Sequence, residues 1–237
     1  MPLTPLALQN APSLIERVFP AQKVSAEAQK ERKAGAGQTL TALGSYWKGR
    51  KPLIMVRAIV LGCLLPVTDD LEADLHVFEM LMAMDEAAFG RREPKLKVGE
   101  IAQRIALANP WDFIDYTNKF YEADEIEALQ FPLDVAKYPK LKVRWQRGLP
   151  DEKKHPLLAQ ALEGLPYEEK VRLCRRPEEL DSEVLYGPFW NEVNAHLGGF
   201  GVEAHSHEAL VEQLGMLRYG HRPRVGDTFC GGGSIPF

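Results

Sequence analysis

Short stretches with helical periodicity, each ended by proline or glycine, constrain the fold of this chain most strongly. Apolar side chains recur at intervals of three and four from Leu71 to Phe89, which predicts an amphipathic helix that ends at Gly90. Pro52 suits the first turn of a buried helix that runs through Leu65. Further helices are predicted over residues 13–18, 25–33, 98–105, 157–162, 167–174, 188–197 and 205–219, and a short strand over 138–145. Residues 1 to about 220 are therefore predicted to be mainly helical.

The end of the chain departs from this pattern. Residues 224–237 read RVGDTFCGGGSIPF, a short strand that leads into a glycine-rich turn. Such a transition normally opens a parallel α/β unit, because glycines let the backbone approach a ligand and the next helix presents its N-terminus. We expect an extended arm at residues 1–12, a mainly helical N-terminal domain at 13–220, and the first strand and loop of an incomplete Rossmann-like α/β domain at 221–237. Because the next helix is missing, we expect the rest of that domain on a downstream segment or a separate subunit.

Composition and length exclude several classes of protein. Hydrophobic residues make up 45% of the chain and charged residues 26%, as in ordinary globular proteins. The longest apolar run, residues 53–65, is shorter than the ~20 residues that a bilayer requires and contains Arg57. Since no secretory signal is visible either, we expect a cytoplasmic protein without membrane contact.

The cysteines and histidines indicate no metal site. The three cysteines are odd in number and far apart in the chain, which fits neither a disulfide framework nor a zinc-binding set. His205 and His207 flank Ser206 and are interpreted as surface or capping residues rather than metal ligands. We therefore expect no bound metal.

Charge is distributed unevenly along the chain. Between Arg17 and Arg57 there are nine lysines and arginines against two acids, a net charge of +7, although the whole chain carries −4. Basic segments of this density often face phosphates, because the contact releases counterions. A solvated surface is the alternative interpretation.

One motif lies in the glycine-rich turn. Residues 227–234 fit the pattern D-x-F-x-G-x-G-S, and Ile235 and Pro236 follow it. The pattern resembles motif I, the S-adenosylmethionine loop of amino-group DNA methyltransferases. In that family the aromatic residue and the glycines cradle the cofactor, and the acid helps to hold its methionine end. The resemblance implies S-adenosylmethionine as cofactor and the following binding residues: Asp227, Phe229, Gly231, Gly233 and Ser234.

A second motif, SYWKGRKPL at residues 45–53, precedes the predicted buried helix. It resembles the W-W-A-R-R-P-L signature of adenine-specific DNA methylases that carry a zinc ribbon, and residues 165–170 and 176–179 are reminiscent of the same family. The resemblance implies that Trp47, Arg50, Lys51 and Pro52 cover the methionine moiety of the cofactor. Trp47 offers a stacking face, and Arg50 and Lys51 can meet a carboxylate or a phosphate. The alternative is a tryptophan packed on the helix start beside solvated basic residues.

The catalytic motif of that family, [DN]-P-P-[YF], is not found among the 237 residues, and neither are its zinc-ribbon cysteines. We therefore expect no catalytic residue in this chain, which should be inactive alone. The resemblance implies the N-terminal part of an S-adenosylmethionine-dependent DNA (adenine-N6) methyltransferase from a restriction or anti-phage defence system. Its partners would be double-stranded DNA, the methyltransferase half and other defence subunits. The alternative is a non-catalytic helical DNA-binding or scaffolding subunit of a defence complex.

Overall fold

The computed structural model describes residues 6–34, 52–224 and 226 of the chain. These residues divide into two compact units. The first unit contains the described residues that precede Glu86 and those that follow Arg175, and the second unit is Glu86–Arg175. The region predicted as a helical domain, residues 13–220, contributes to both units.

The described part of the chain is mainly helical, as predicted. In chain order its helices are α1 (Leu14–Arg17), α2 (Ala21–Ala34), α3 (Leu53–Leu64), α4 (Leu71–Leu81), α5 (Glu86–Arg91), α6 (Val98–Ala102), α7 (Ala123–Glu127), α8 (Asp151–Leu162), α9 (Tyr167–Leu173), α10 (Ser182–Tyr186), α11 (Trp190–Leu197) and α12 (His207–Tyr219). Two strands, β1 (Ile114–Thr117) and β2 (Lys142–Trp145), form an antiparallel sheet. No helix in the described ranges is long and apolar enough to cross a membrane.

In the first unit, α3 is the central helix and packs against α1, α2 and α12. Nearly all side chains of α3 are apolar, and Ile54, Ala58 and Leu61 are buried. Capping side chains define the ends of its neighbours: the carboxylate of Glu16 accepts a hydrogen bond from the Ser13 amide at 2.7 Å, which closes the first turn of α1. The predicted start of α3 after Pro52 is confirmed.

The prediction of one continuous helix from Leu71 to Gly90 is wrong, because the structure has two helices there, α4 and α5. Between α4 and α5 the backbone of Ala83 adopts a φ of 53°, in the left-handed region, which cannot continue a right-handed helix. Met82 and Met84 on either side are buried. The apolar periodicity thus continues through the turn, and for this reason the sequence pattern does not reveal the break.

The second unit is built on a core beneath the two-stranded sheet. Ile114 and Trp145 lie opposite each other in the register of β1 and β2, and Ile114 is buried with residues from α6, α7 and α8. The strand predicted over residues 138–145 is confirmed over its second half as β2. Its partner β1 lies in an aromatic and acidic segment for which no strand was predicted. The predicted Rossmann-like strand and loop at 221–237 fall largely outside the described residues.

Candidate functional site

Most of the residues predicted to bind the cofactor lie outside the described residues. These are Trp47, Arg50, Lys51, Asp227, Phe229, Gly231, Gly233 and Ser234. Pro52 is described: it is buried, and its backbone φ of −58° leads directly into the first residue of α3. Of the second motif the structure thus describes Pro52 and Leu53, at the start of α3.

The start of α3 is capped by a carboxylate from the preceding helix. The Leu53 amide donates to Oε1 of Glu31 at 2.8 Å, and the Ile54 amide donates to Oε2 of the same side chain at 3.0 Å. The first amides of a helix lack partners within the helix and carry partial positive charge, so a carboxylate is a favourable ligand there. The N-terminus of α3 thus holds an anionic group that the chain itself supplies.

A groove of about 460 Å³ extends along α3 from its first turn. Helices α10 and α12 form its other walls. Its lining is apolar along α3 and includes a few polar groups: Leu53, Val56, Arg57, Val60, Leu61, Ser182, Tyr186, His207 and Val211. A concave, mainly apolar surface with a small number of polar groups is the usual form of a ligand site.

Arg57 is the cation of this groove. Its Nη1 lies 3.4 Å from the Tyr186 hydroxyl and 3.8 Å from a carboxylate oxygen of Glu178. Both distances are long for strong hydrogen bonds. About a third of the side chain, 36%, remains exposed. Since a guanidinium has five N–H donors, Arg57 retains the capacity to bind a carboxylate in the groove.

His207 provides a neutral polar group in the same groove. Its Nε2 lies 2.7 Å from the carbonyl oxygen of Leu81. Because a carbonyl can only accept, Nε2 carries the hydrogen and Nδ1 is an acceptor in the neutral ring. Burial lowers the pKa of His207 below its ordinary value, and the nearby charge of Arg57 lowers it further. The Tyr186 ring meets the imidazole edge to face at 4.4 Å and fixes its position.

The arrangement of Arg57, His207 and the apolar side chains of the groove supports ligand binding. The groove can hold an apolar group that carries a carboxylate or a carbonyl near Arg57. Within the described ranges, no three His, Cys, Asp or Glu side chains are grouped closely enough to hold a metal ion. His196, another histidine of this unit, contacts Asp74 at 2.7 Å.

Sequence reasoning did not predict the groove. Its polar residues come from α3, α10 and α12, and α3 lies more than a hundred positions before the other two helices, so no sequence spacing could connect them. One signal was present, because Arg57 interrupts an otherwise apolar stretch. A charged residue within such a stretch requires either exposure or a partner.

Comparison with known protein families found one match. A family model described as "protein of unknown function (DUF1156)" matches residues 18–81, which include the second motif and α2 to α4. The α3 wall of the groove therefore lies within the matched region. Searches of curated proteins and of solved structures found no match.

Proposed function

We propose that this chain is the N-terminal part of an S-adenosylmethionine-dependent DNA (adenine-N6) methyltransferase of a restriction or anti-phage defence system. One observation carries the proposal: the acid, aromatic residue, glycines and serine at residues 227–234 have the order of a cofactor-binding loop. A glycine-rich turn with an acid before it can bring the backbone close to a ligand and hold a cationic group.

The α3 groove supports this proposal. It begins at Leu53, directly after the Trp47–Pro52 segment that the family resemblance assigns to the methionine moiety. Its volume of about 460 Å³ lies in the range of small-molecule sites. Arg57 suits a ligand carboxylate such as that of the methionine moiety. In this proposal Arg57 binds the carboxylate, and the apolar side chains of α3 exclude water from it.

S-adenosylmethionine, when bound, supplies the methyl group that the adenine amine attacks in line. This chain would bind and orient the cofactor, with Asp227 and the glycines at the loop. A pocket for the flipped adenine requires an aromatic residue and hydrogen-bond acceptors. The 237 residues contain no [DN]-P-P-[YF] motif that could supply them. That pocket therefore belongs, in this proposal, to the downstream or separate methyltransferase half.

Not every cation of the basic segment, residues 17–57, is placed to face DNA. Lys23 forms an ion pair with Glu79, with Nζ 2.5 Å from Oε1. Arg57 lies in the groove. Since these two cations are engaged within the first unit, a role in facing double-stranded DNA would fall to other cations of residues 17–57.

Cofactor binding tests the proposal. Titration calorimetry with S-adenosylmethionine is performed on the natural gene product together with any accompanying methyltransferase half. Asp227→Ala and Gly231→Ala should each weaken binding at least about tenfold, as expected for the loss of a ~1.4 kcal/mol contact. Asp69→Ala, which removes an exposed acid elsewhere, is the matched control. Arg57→Met tests the groove separately and should weaken binding too.

Two results would contradict the proposal. Unchanged binding in both loop variants would show that residues 227–234 do not form a cofactor loop. Absence of binding in the natural protein would favour the alternative, a non-catalytic DNA-binding or scaffolding subunit. If only Arg57→Met is without effect, the loop stands and the role of the groove is wrong.

A further inference from the structure

The outer face of the two-stranded sheet in the second unit carries a row of cations. Along β2 the exposed Lys142 and Arg144 alternate with Val143 and Trp145, which pack against the core of this unit. Alternate residues of a strand share a face and lie about 7 Å apart. The two cations therefore project together from the face that is turned away from the core.

Lys140 extends this row beyond the start of β2. Its ammonium lies 4.6 Å from the centre of the Phe120 ring. The Phe120 side chain itself is 62% exposed. The attraction between a cation and an aromatic face holds the two side chains together at the surface. We refer to Lys140, Lys142, Arg144 and Phe120 as the β2 strip.

The chain segment that contains β2 holds no acidic residue. Residues 135–150 contain five lysines and arginines and no aspartate or glutamate, in a chain whose net charge is −4. Asp115 on β1 lies opposite Arg144 and forms an ion pair with it, with the Asp115 oxygen 2.6 Å from Nη2. Lys140 and Lys142 form no ion pair with any residue that the structure describes. Their charges are therefore available to an external anion.

We propose that the β2 strip binds the phosphate backbone of duplex DNA. Exposed cations spaced along a strand can contact successive phosphates, and the release of counterions supplies the affinity. Such contacts position a protein on DNA without reading its sequence. The strip is in a different unit from the basic segment of residues 17–57. The choice of DNA as the source of phosphodiesters rests on the proposed function, whereas the surface itself rests on the geometry of the second unit.

Fluorescence anisotropy with a labelled duplex of mixed sequence tests the β2 strip on the full chain. Lys140→Glu combined with Lys142→Glu should weaken binding at least about tenfold, because two favourable contacts become repulsive. With Lys140→Gln and Lys142→Gln, the slope of log affinity against log salt should become shallower by about 1.8, or 0.9 for each lost contact. Circular dichroism verifies that the variants are folded.

Lys95→Glu combined with Arg172→Glu is the matched control. Both residues are exposed in the same unit, and the change in net charge is the same. We expect less than about a twofold change in affinity, since these positions make no phosphate contact. Asp115→Asn removes the one acid that faces Arg144 and should tighten binding about threefold.

Equal losses of affinity in the strip and control variants would overturn the proposal, because net charge alone would then explain binding. So would the failure of the natural protein to bind duplex DNA at low salt, or tighter binding of duplex RNA. The strip variants should leave S-adenosylmethionine binding unchanged. A failure of the strip can thus be distinguished from a failure of the methyltransferase proposal.

Discussion

The carboxylate of Glu31, near the end of α2, accepts a hydrogen bond from the backbone amide of Leu53, the first residue of α3. The same carboxylate also binds the next amide, that of Ile54. A side chain from one helix thus closes the start of another. This cap connects α2 to the helix that forms the wall of the candidate groove.

Replacement of Glu31 by glutamine should therefore destabilise the first unit. The amide keeps one acceptor but loses the charge and the second acceptor, so we expect a loss of about 1 kcal/mol, as for other helix caps. Urea unfolding followed by circular dichroism measures the change. Glu163→Gln makes the same chemical change at an exposed position and should have little effect. Equal stability of the two variants would argue against the cap.

Arg218 on α12 is expected to be essential for folding of the first unit. It is buried, and its guanidinium donates to five backbone carbonyl oxygens, those of Leu8, Ala11, Pro12, Leu64 and Leu65. Arg218→Met leaves these acceptors without their donor, which should cost at least about 3 kcal/mol. Denaturant unfolding measures the loss. Arg222→Met, four residues further on, disrupts only an exposed pair with Glu212 and should change stability little.

Gly90 determines how closely α5 approaches α8 in the second unit. A Cβ atom at this position would overlap the backbone oxygen of His155 and would lie 3.0 Å from the Cβ of Ala159. Gly90→Ala should therefore destabilise the unit by about 3 kcal/mol, the upper range for overpacking. Gly99→Ala in α6 meets no atom within 4 Å and should be neutral or stabilising. Thermal unfolding of both variants distinguishes close packing from a general intolerance of alanine.

The stability of the first unit should depend on pH through His207. Burial lowers the pKa of His207 in the folded protein from its ordinary value of 6.5. The unfolded state then binds more protons, so stability is fully present above about pH 6.5 and decreases as the pH falls towards the lowered pKa.

His207→Gln retains a donor for Leu81 but has no titrating group. The loss of stability between pH 7.5 and pH 5.5 should therefore be smaller in this variant than in the natural protein. Urea titrations at several pH values measure it. His155 in the second unit has a pKa lowered by burial as well and should contribute with the same sign. An identical pH dependence in the natural protein and His207→Gln would contradict the structural assignment.

Local signals in the sequence predicted the helices but not their assembly. Pro52 and Ser13 mark helix starts that the structure confirms, because proline and a capping serine act within one turn. The break at Ala83 was not predictable, since the residues around it remain buried on both sides. The groove and the carbonyl cluster around Arg218 join distant segments, and only tertiary packing brings these together.

The content of N6-methyladenine in cellular DNA tests the central claim most directly. DNA from cells that carry the gene in its natural context is digested to nucleosides and measured by mass spectrometry. Asp227→Ala removes the acid of the cofactor loop, and Asp69→Ala is the control at equal protein level. We predict that N6-methyladenine is present in the natural and control cells and is lost in Asp227→Ala. Equal amounts in all three, or none in the natural cells, would contradict the account.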